Sequence, residues 1–441
     1  MLPADHPSPW PAPAVTGPVR ANVRVPGSKS ITNRALVLAA LADAPTRIEG
    51  ALLARDSELA ITALRQLGCH VTVAGTTVLV EPFPVVGLPA SASPTDTQPY
   101  IAVDCGLAGT VMRFLPPVAA LTAQVVRFDG DPRARQRPLA PLTQALRDLG
   151  VDIAGDHLPI TVRGVGAVTG SEVTLDSSAS SQFISGLLLA APRYHNGVQV
   201  THRGSPMPSL PHVRLTVDML IERGVAVAGE DSDPTNCRWT VTPGPISGGI
   251  VNVAPDLSNA GPFLAAAMVT GGTVTVPDWP MQTWQAGDAL RGIFTAMGGH
   301  VHLDHTGLTL TGPDKPHGID RDLSEVGELV PTVAAVAALA DGPTRLRGIG
   351  HLRGHETDRL AALVHELHAL GCGAKVCEDG IAITPRPLRP ATVECYADHR
   401  MATFAAIIGL RVPGTRLSDV TCTAKTLPDF PALWTAMVAR S

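Results

Sequence analysis

Four cations stand where an Ala-rich helix is about to begin or has just begun. They are Lys29 and Arg34 in Pro26-Gly-Ser-Lys-Ser-Ile-Thr-Asn-Arg34, Arg113 one turn beyond Gly106-Leu-Ala-Gly-Thr110, and Arg400 in Asp398-His-Arg400. A helix N-terminus already presents unpaired N–H groups and roughly half a positive charge, so a cation in its first turn costs about a few tenths of a kcal/mol. Four such placements imply an anionic ligand. Lys29 supplies a point charge, and the guanidinium groups supply bidentate forks that fit phosphate and carboxylate. Other helices open with Ser180-Ser-Gln182, with Ser258-Asn259 and with Glu325 and Glu328. Further charge lies in Arg133, Arg135 and Arg137, in His355-Glu-Thr-Asp-Arg359 and at Lys425.

Simpler readings stand beside these. Thr110, Ser258 and Asn259 read equally well as N-caps. Arg133 and Arg135 suit a solvated loop, and Glu356 suits a dipole partner at a helix start. His351 and His355, with His365 and His368 nearby, raise a zinc site, which is set aside because no HExxH forms and no Cys or Asp cluster closes the set.

The elements that carry these residues recur. Ala39-Ala-Leu-Ala-Asp-Ala-Pro-Thr-Arg47 returns as Ala337-Ala-Leu-Ala-Asp-Gly-Pro-Thr-Arg345, 298 residues later. Amphipathic helical patterns close on Gly68, Gly150, Gly224, Gly298 and Gly371, in steps of 82, 74, 74 and 73 residues. Short alternating strands begin near Pro45, Gln124, Gly197, Gly272, Pro343 and Gly414. Each unit is therefore an Ala-rich helix, a strand, an amphipathic helix closed by Gly and one or two more strands, repeated about every 74 residues. The Ala-rich helices are apolar around most of their circumference, which predicts that they are buried. A solenoid without an active site is the plain alternative.

The 441 residues suit two or three domains. No apolar run approaches the roughly 20 residues of a membrane span. A net charge of −5 gives no footprint for nucleic acid or anionic lipid, so any anion is caught locally. Seven scattered cysteines without a CxxC pair read as reduced thiols of a cytoplasmic protein. The first twenty residues lack a signal-peptide pattern and read as a disordered or loosely packed Pro/Ala-rich extension.

PGSKSITNRAL, GLAGTVMR, RPLAPL, SSQF, HETDRL, DHRMA and AKTLPDF, in that order, resemble the 5-enolpyruvylshikimate-3-phosphate synthase family across nearly the whole chain. The resemblance implies an α/β fold, a two-domain inverse α/β barrel of six βαβαββ repeats, three per domain with buried helices. It implies a first domain over 27–250, a second over 21–26 plus 251–441 after the 1–20 extension, and an active site in the interdomain cleft. Lys29, Ser30, Arg34, Ser180, Ser181, Gln182, Ser209, Glu328 and His355 would then bind shikimate 3-phosphate. Lys29, Gly109, Thr110, Arg113, Arg137, Gln182, Arg359, Arg400 and Lys425 would bind phosphoenolpyruvate, and Lys29, Glu328, Glu356 and Lys425 would be catalytic. Leu107, His212, His351 and His355 depart from the better-known bacterial pattern, as does Glu328 in place of Asp.

The implied reaction joins the enolpyruvyl group to the 5-hydroxyl through a tetrahedral ketal and releases phosphate. It calls for no metal and no cofactor. A cytoplasmic monomer that glyphosate inhibits is expected. A sister transferase acting on UDP-N-acetylglucosamine would be expected to carry a reactive Cys in the arginine loop, where Asp131 to Pro138 has none. A non-catalytic anion-binding protein on the same fold would dispense with Glu328, Glu356 and Lys425.

Overall fold

The computed structural model describes residues 8–83 and 99–439. They form two compact units, one from the described residues within 27–253 and one from the described residues within 1–26 and 254–441.

In the 27–253 unit, three helices lie at the centre: Lys29–Ala40, Gly109–Ala119 and Gln182–Ala190. Their packed faces are made of Ala, Val, Leu and Phe, and every residue of Gly109–Ala119 is buried. Small residues let the backbones approach, and a Cβ at Gly186 would lie 2.3 Å from the Arg113 carbonyl oxygen. Around these helices stand three four-stranded sheets, each containing one parallel pair followed by antiparallel neighbours. The amphipathic helices Arg55–Gln66, Ala140–Asp148 and Pro211–Ile221 complete the three repeats.

The other unit repeats the plan. Leu257–Thr270, Val330–Ala338 and His399–Gly409 are its buried helices, and Leu290–Ala296, Arg359–Ala369 and Phe430–Val438 its outer ones. The glycines that close five of the outer helices all take positive φ, from 81° at Gly224 to 107° at Gly68. That left-handed conformation lets the chain reverse into the next strand without a Cβ clash.

Two expectations need correction. The strand Gly249–Asn252 pairs with Thr46–Glu49, so the first repeat receives its leading strand from the far end of its own unit. The crossing back therefore falls after Val253 rather than at 250. The N-terminal segment is also no loose extension over its described part. Trp10–Pro11 pairs antiparallel with Arg416–Leu417 and Trp10 is buried, so the segment completes the three-stranded sheet of the sixth repeat. Arg20–Asn22 likewise pairs with Thr273–Pro277 in the fourth. Residues 1–7 of the expected extension lie outside the described residues.

Candidate active site

In the 27–253 unit the site residues gather at the starts of the three buried helices. Ser28 caps Lys29–Ala40 by accepting from the Ile31 N–H. Lys29 is the first helical residue, and its Nζ lies 3.4 Å from Asp56 Oδ2, on the first turn of Arg55–Gln66. The Asp56 carboxylate is 3% exposed, so it answers both the ammonium and the local helix dipole. Ser30, the next residue, is half-buried.

Arg34 lies a full turn further in, so burial rather than the first-turn dipole makes it notable. Its Nε donates to Thr216 Oγ1 at 2.7 Å, Nη1 to the Ser30 carbonyl at 3.0 Å, and Nη2 to the His212 carbonyl at 2.9 Å and Ser185 Oγ at 3.3 Å. Four of its five donors are thus committed to neutral acceptors on three helices. Burial lowers its pKa to about 9, and the guanidinium also stacks on Phe114. Arg34 is a strut as much as a ligand group.

The tightest cluster surrounds Gly109. Arg113 Nη1 donates to Gln182 Oε1 at 2.8 Å, its Nη2 donates to the Pro138 carbonyl at 3.2 Å, and Arg137 Nη1 donates to the Leu107 carbonyl at 3.2 Å. A Cβ added at Gly109 would lie 3.0 Å from Gln182 Oε1, 3.1 Å from Arg137 Nη2 and 3.2 Å from Arg113 Nη1. Two guanidinium groups and an amide thus converge on bare backbone at a helix start, an arrangement suited to a small anion. Thr110 accepts from Asn33 Nδ2 at 2.7 Å and does not act as a cap. Arg135 instead forms an exposed bidentate pair with Asp129, as a solvated loop requires, while Arg133, half-buried, donates to Gln136 Oε1.

The serines before Gln182–Ala190 sit in an internally bonded turn. Ser180 Oγ accepts from the Gln182 N–H, and Ser177 Oγ donates to the Ser180 carbonyl. Ser181 occupies the cap position without a side-chain cap bond. Buried His202 accepts from the Ser177 N–H through Nδ1 and donates through Nε2 to the Ser205 carbonyl, which fixes its tautomer. Ser209 is partly exposed at φ 56°, in the turn that opens Pro211–Ile221.

The other unit holds a cluster richer in carboxylates. Asp398 caps His399–Gly409, accepting from the Arg400 N–H at 2.8 Å. The same carboxylate takes Arg359 Nε at 2.7 Å and Nη2 at 3.1 Å. Arg359 Nη2 also donates to Glu356 Oε2 at 3.0 Å, while Lys425 Nζ donates to Glu356 Oε1 at 2.6 Å. Burial would lower the Arg359 guanidinium, but Asp398 first, then Glu356 and Glu328, outweigh it and hold it above its ordinary value. For Arg400 burial prevails: it is held below its ordinary value although Asp256, Glu328 and Asp398 pull upward.

Glu328 therefore faces Arg359, Arg400 and His351 electrostatically, at the entry to Val330–Ala338. His355 Nδ1 lies 3.3 Å from Arg359 Nη1 and 3.8 Å from Glu356 Oε2. Arg400 Nη1 donates to the Ser258 carbonyl, and Asn259 Nδ2 donates to the Thr426 carbonyl. Ser258 and Asn259 thus steady Arg400 and the Lys425 turn, and the cap of their helix is Asp256. Glu356 precedes the helix that starts at Arg359, so its partners are Lys425 and Arg359 rather than a helix dipole.

The sequence names Asp398 only as part of a helix opening and gives no role to Asp56, Asn33 or His202. An Asp two residues before Arg400 carries a readable N-cap signal. The others are paired by tertiary placement alone.

Residues 14–434 match the family model described as EPSP synthase (3-phosphoshikimate 1-carboxyvinyltransferase). A Kocuria rhizophila protein named 3-phosphoshikimate 1-carboxyvinyltransferase is 50% identical over 440 residues, covering 97% of this chain and 96% of that one. Among solved structures, an EPSP synthase from Acinetobacter baumannii superposes with a TM-score of 0.79 at 24% identity, covering 96% of this chain and 97% of that one. The enolpyruvyl transferase NikO from Streptomyces tendae gives 0.72 at 16% identity, with 96% of each chain covered. These two likenesses speak to the fold. With the family match over nearly the whole chain and a relative at half identity, the chain belongs to the EPSP synthase family.

Proposed function

We infer that this protein transfers the enolpyruvyl group of phosphoenolpyruvate to the 5-hydroxyl of shikimate 3-phosphate, releasing phosphate by addition and elimination through a tetrahedral ketal. The observation that carries the reading is Glu356, a carboxylate shared between Lys425 and Arg359, the guanidinium that Asp398 also grips. Addition needs a base for the hydroxyl and an acid for the methylene carbon; elimination reverses the second transfer.

In this reading Glu328 accepts the hydroxyl proton. Glu356, in contact with Lys425, delivers a proton to the methylene and later removes one from the resulting methyl. Lys29 and Lys425 protonate or stabilise the departing phosphate, which carries away, net, the proton that the hydroxyl gave up. Arg113, Arg137, Arg359 and Arg400 hold the phosphoenolpyruvate carboxylate and phosphate in register, with Gly109, Thr110 and Gln182 beside them. Ser30, Arg34, Ser180, Ser181, Gln182, Ser209 and His355 receive shikimate 3-phosphate, Arg34 through its remaining Nη1 donor. By family resemblance, the enzyme is a cytoplasmic monomer and glyphosate competes with phosphoenolpyruvate.

The deciding measurement is phosphate release from phosphoenolpyruvate with shikimate 3-phosphate, with UDP-N-acetylglucosamine, and with neither. Release is expected only with shikimate 3-phosphate. Release indifferent to that substrate would sink the reading.

A further inference from the structure

Tyr396 and Ala397 are consecutive residues in the left-handed region, at φ 54° and 51°. Residues with a Cβ adopt that conformation rarely, and two in succession need support from their surroundings. The pair stands immediately before Asp398, the carboxylate that caps the Arg400 helix and grips Arg359. Any relaxation of the turn would move Asp398, and with it the Arg359 guanidinium and the capped start of the helix that carries Arg400.

The support comes from Glu366. Its side chain is 2% exposed, and its nearest basic neighbour is an exposed imidazole, His365, at 3.9 Å. A carboxylate so buried must be satisfied by hydrogen bonds. Glu366 Oε1 accepts from the Tyr396 hydroxyl at 2.7 Å and Oε2 from the Glu394 N–H at 3.1 Å. Glu394 in turn accepts from the Tyr396 N–H at 3.1 Å and from Ser418 Oγ at 2.9 Å. The phenol is held above its ordinary pKa by burial first and then by Glu366, so it remains a neutral donor.

Glu366 follows Arg359 by seven residues, two helical turns, so both project from one face of Arg359–Ala369. One helix therefore grips the 394–398 turn at both ends, Arg359 on Asp398 and Glu366 on Tyr396 and Glu394. We propose that Glu366 and Tyr396 are positioning residues that hold the strained turn, and through Asp398 keep Arg359 and Arg400 set for the phosphoenolpyruvate anion. This rests on the function proposed above.

The test is steady-state phosphate release by the full chain, with KM measured for each substrate beside thermal unfolding. Tyr396→Phe is expected to raise KM for phosphoenolpyruvate about tenfold while shifting KM for shikimate 3-phosphate less than about twofold. Glu366→Gln keeps an acceptor for the Glu394 N–H and offers an N–H to the phenol oxygen, so it is expected to retain most of the wild-type affinity. A purely stabilising hydroxyl would lower the unfolding temperature and leave KM of the folded enzyme unchanged, and that result overturns the proposal. Where Tyr396→Phe does not fold, Glu366→Asp, with the carboxylate withdrawn by one methylene, carries the same comparison. Wild-type release that does not depend on shikimate 3-phosphate would overturn the proposed function instead, whatever Tyr396→Phe does.

Discussion

Lys425 and Glu356 stand 69 residues apart in sequence and 2.6 Å apart in space, with both side chains about nine-tenths buried. A short contact between an ammonium and a carboxylate gives a proton two neighbouring seats, which suits a group that must give a proton to carbon and then take one back. It also makes the two residues one unit.

Glu356→Gln and Lys425→Met are each expected to lower kcat by about a hundredfold or more, the scale of a positioned acid–base group. Because they act together, the double variant is expected to be little slower than the worse single one. Rates of phosphate release from the four proteins check this. Fully multiplicative losses would show that the residues act independently.

Gly109→Ala tests the anion cluster of the 27–253 unit. The added methyl would meet Gln182, Arg137 and Arg113 at 3.0 to 3.2 Å, so these side chains must yield by a few tenths of an ångström. A tightly fitted inhibitor should suffer more than a compact substrate. Glyphosate inhibition is expected to weaken by about tenfold or more, the scale of one misplaced methyl in a pocket, with a smaller rise in KM for phosphoenolpyruvate. Equal loss of both would refute the placement of the inhibitor beside Gly109.

Much of this arrangement is legible in the sequence where a local rule repeats. Gly68, Gly150, Gly224, Gly298 and Gly371 mark the repeats because a helix that turns back into a strand needs a left-handed residue, wherever it falls. Lys29 and Arg400 stand out because a cation in a first turn violates a local preference. Long-range pairing leaves no such mark. Asp56 is an ordinary first-turn acid until Lys29, 27 residues away, lies against it. Arg34 reads as a ligand group from its motif, yet Thr216, Ser185 and the His212 carbonyl, on two other helices, claim most of its donors. Residues 1–20 read as a loose extension because the strand partner of Trp10 lies at residue 417.

His351 gives stability a pH dependence with a definite sign. Burial holds it below its ordinary value of 6.5, Arg359 adds to the effect, and Glu328 opposes it. Between the depressed folded value and 6.5 the unfolded chain binds a proton that the folded chain refuses. Stability should therefore fall as pH drops below 6.5 toward the folded value, and the neutral His351 loses nothing above that window. His351→Asn, which cannot titrate, is expected to flatten the acid side of a plot of unfolding midpoint against pH. An unchanged slope would show that other groups set it.

The N-terminal segment supplies the last prediction. Trp10 opposes Leu417, the Ala12 N–H donates to the Thr415 carbonyl at 3.0 Å, and the Val15 N–H donates to the Leu410 carbonyl at 3.0 Å. Gly409, at the end of the buried helix His399–Gly409, faces Ala12 so closely that an added Cβ would lie 2.3 Å from the Ala12 Cβ. Helix propensity alone favours Gly409→Ala by up to about 1 kcal/mol. Displacement of the segment acts the other way, uncovering Trp10, whose truncation to Ala should itself cost about 3 kcal/mol. Opposite signs make the comparison decisive. Gly409→Ala is expected to lower the unfolding midpoint and Trp10→Ala to lower it further, whereas a midpoint raised by Gly409→Ala would mean that residues 10–15 do not seal the sixth repeat.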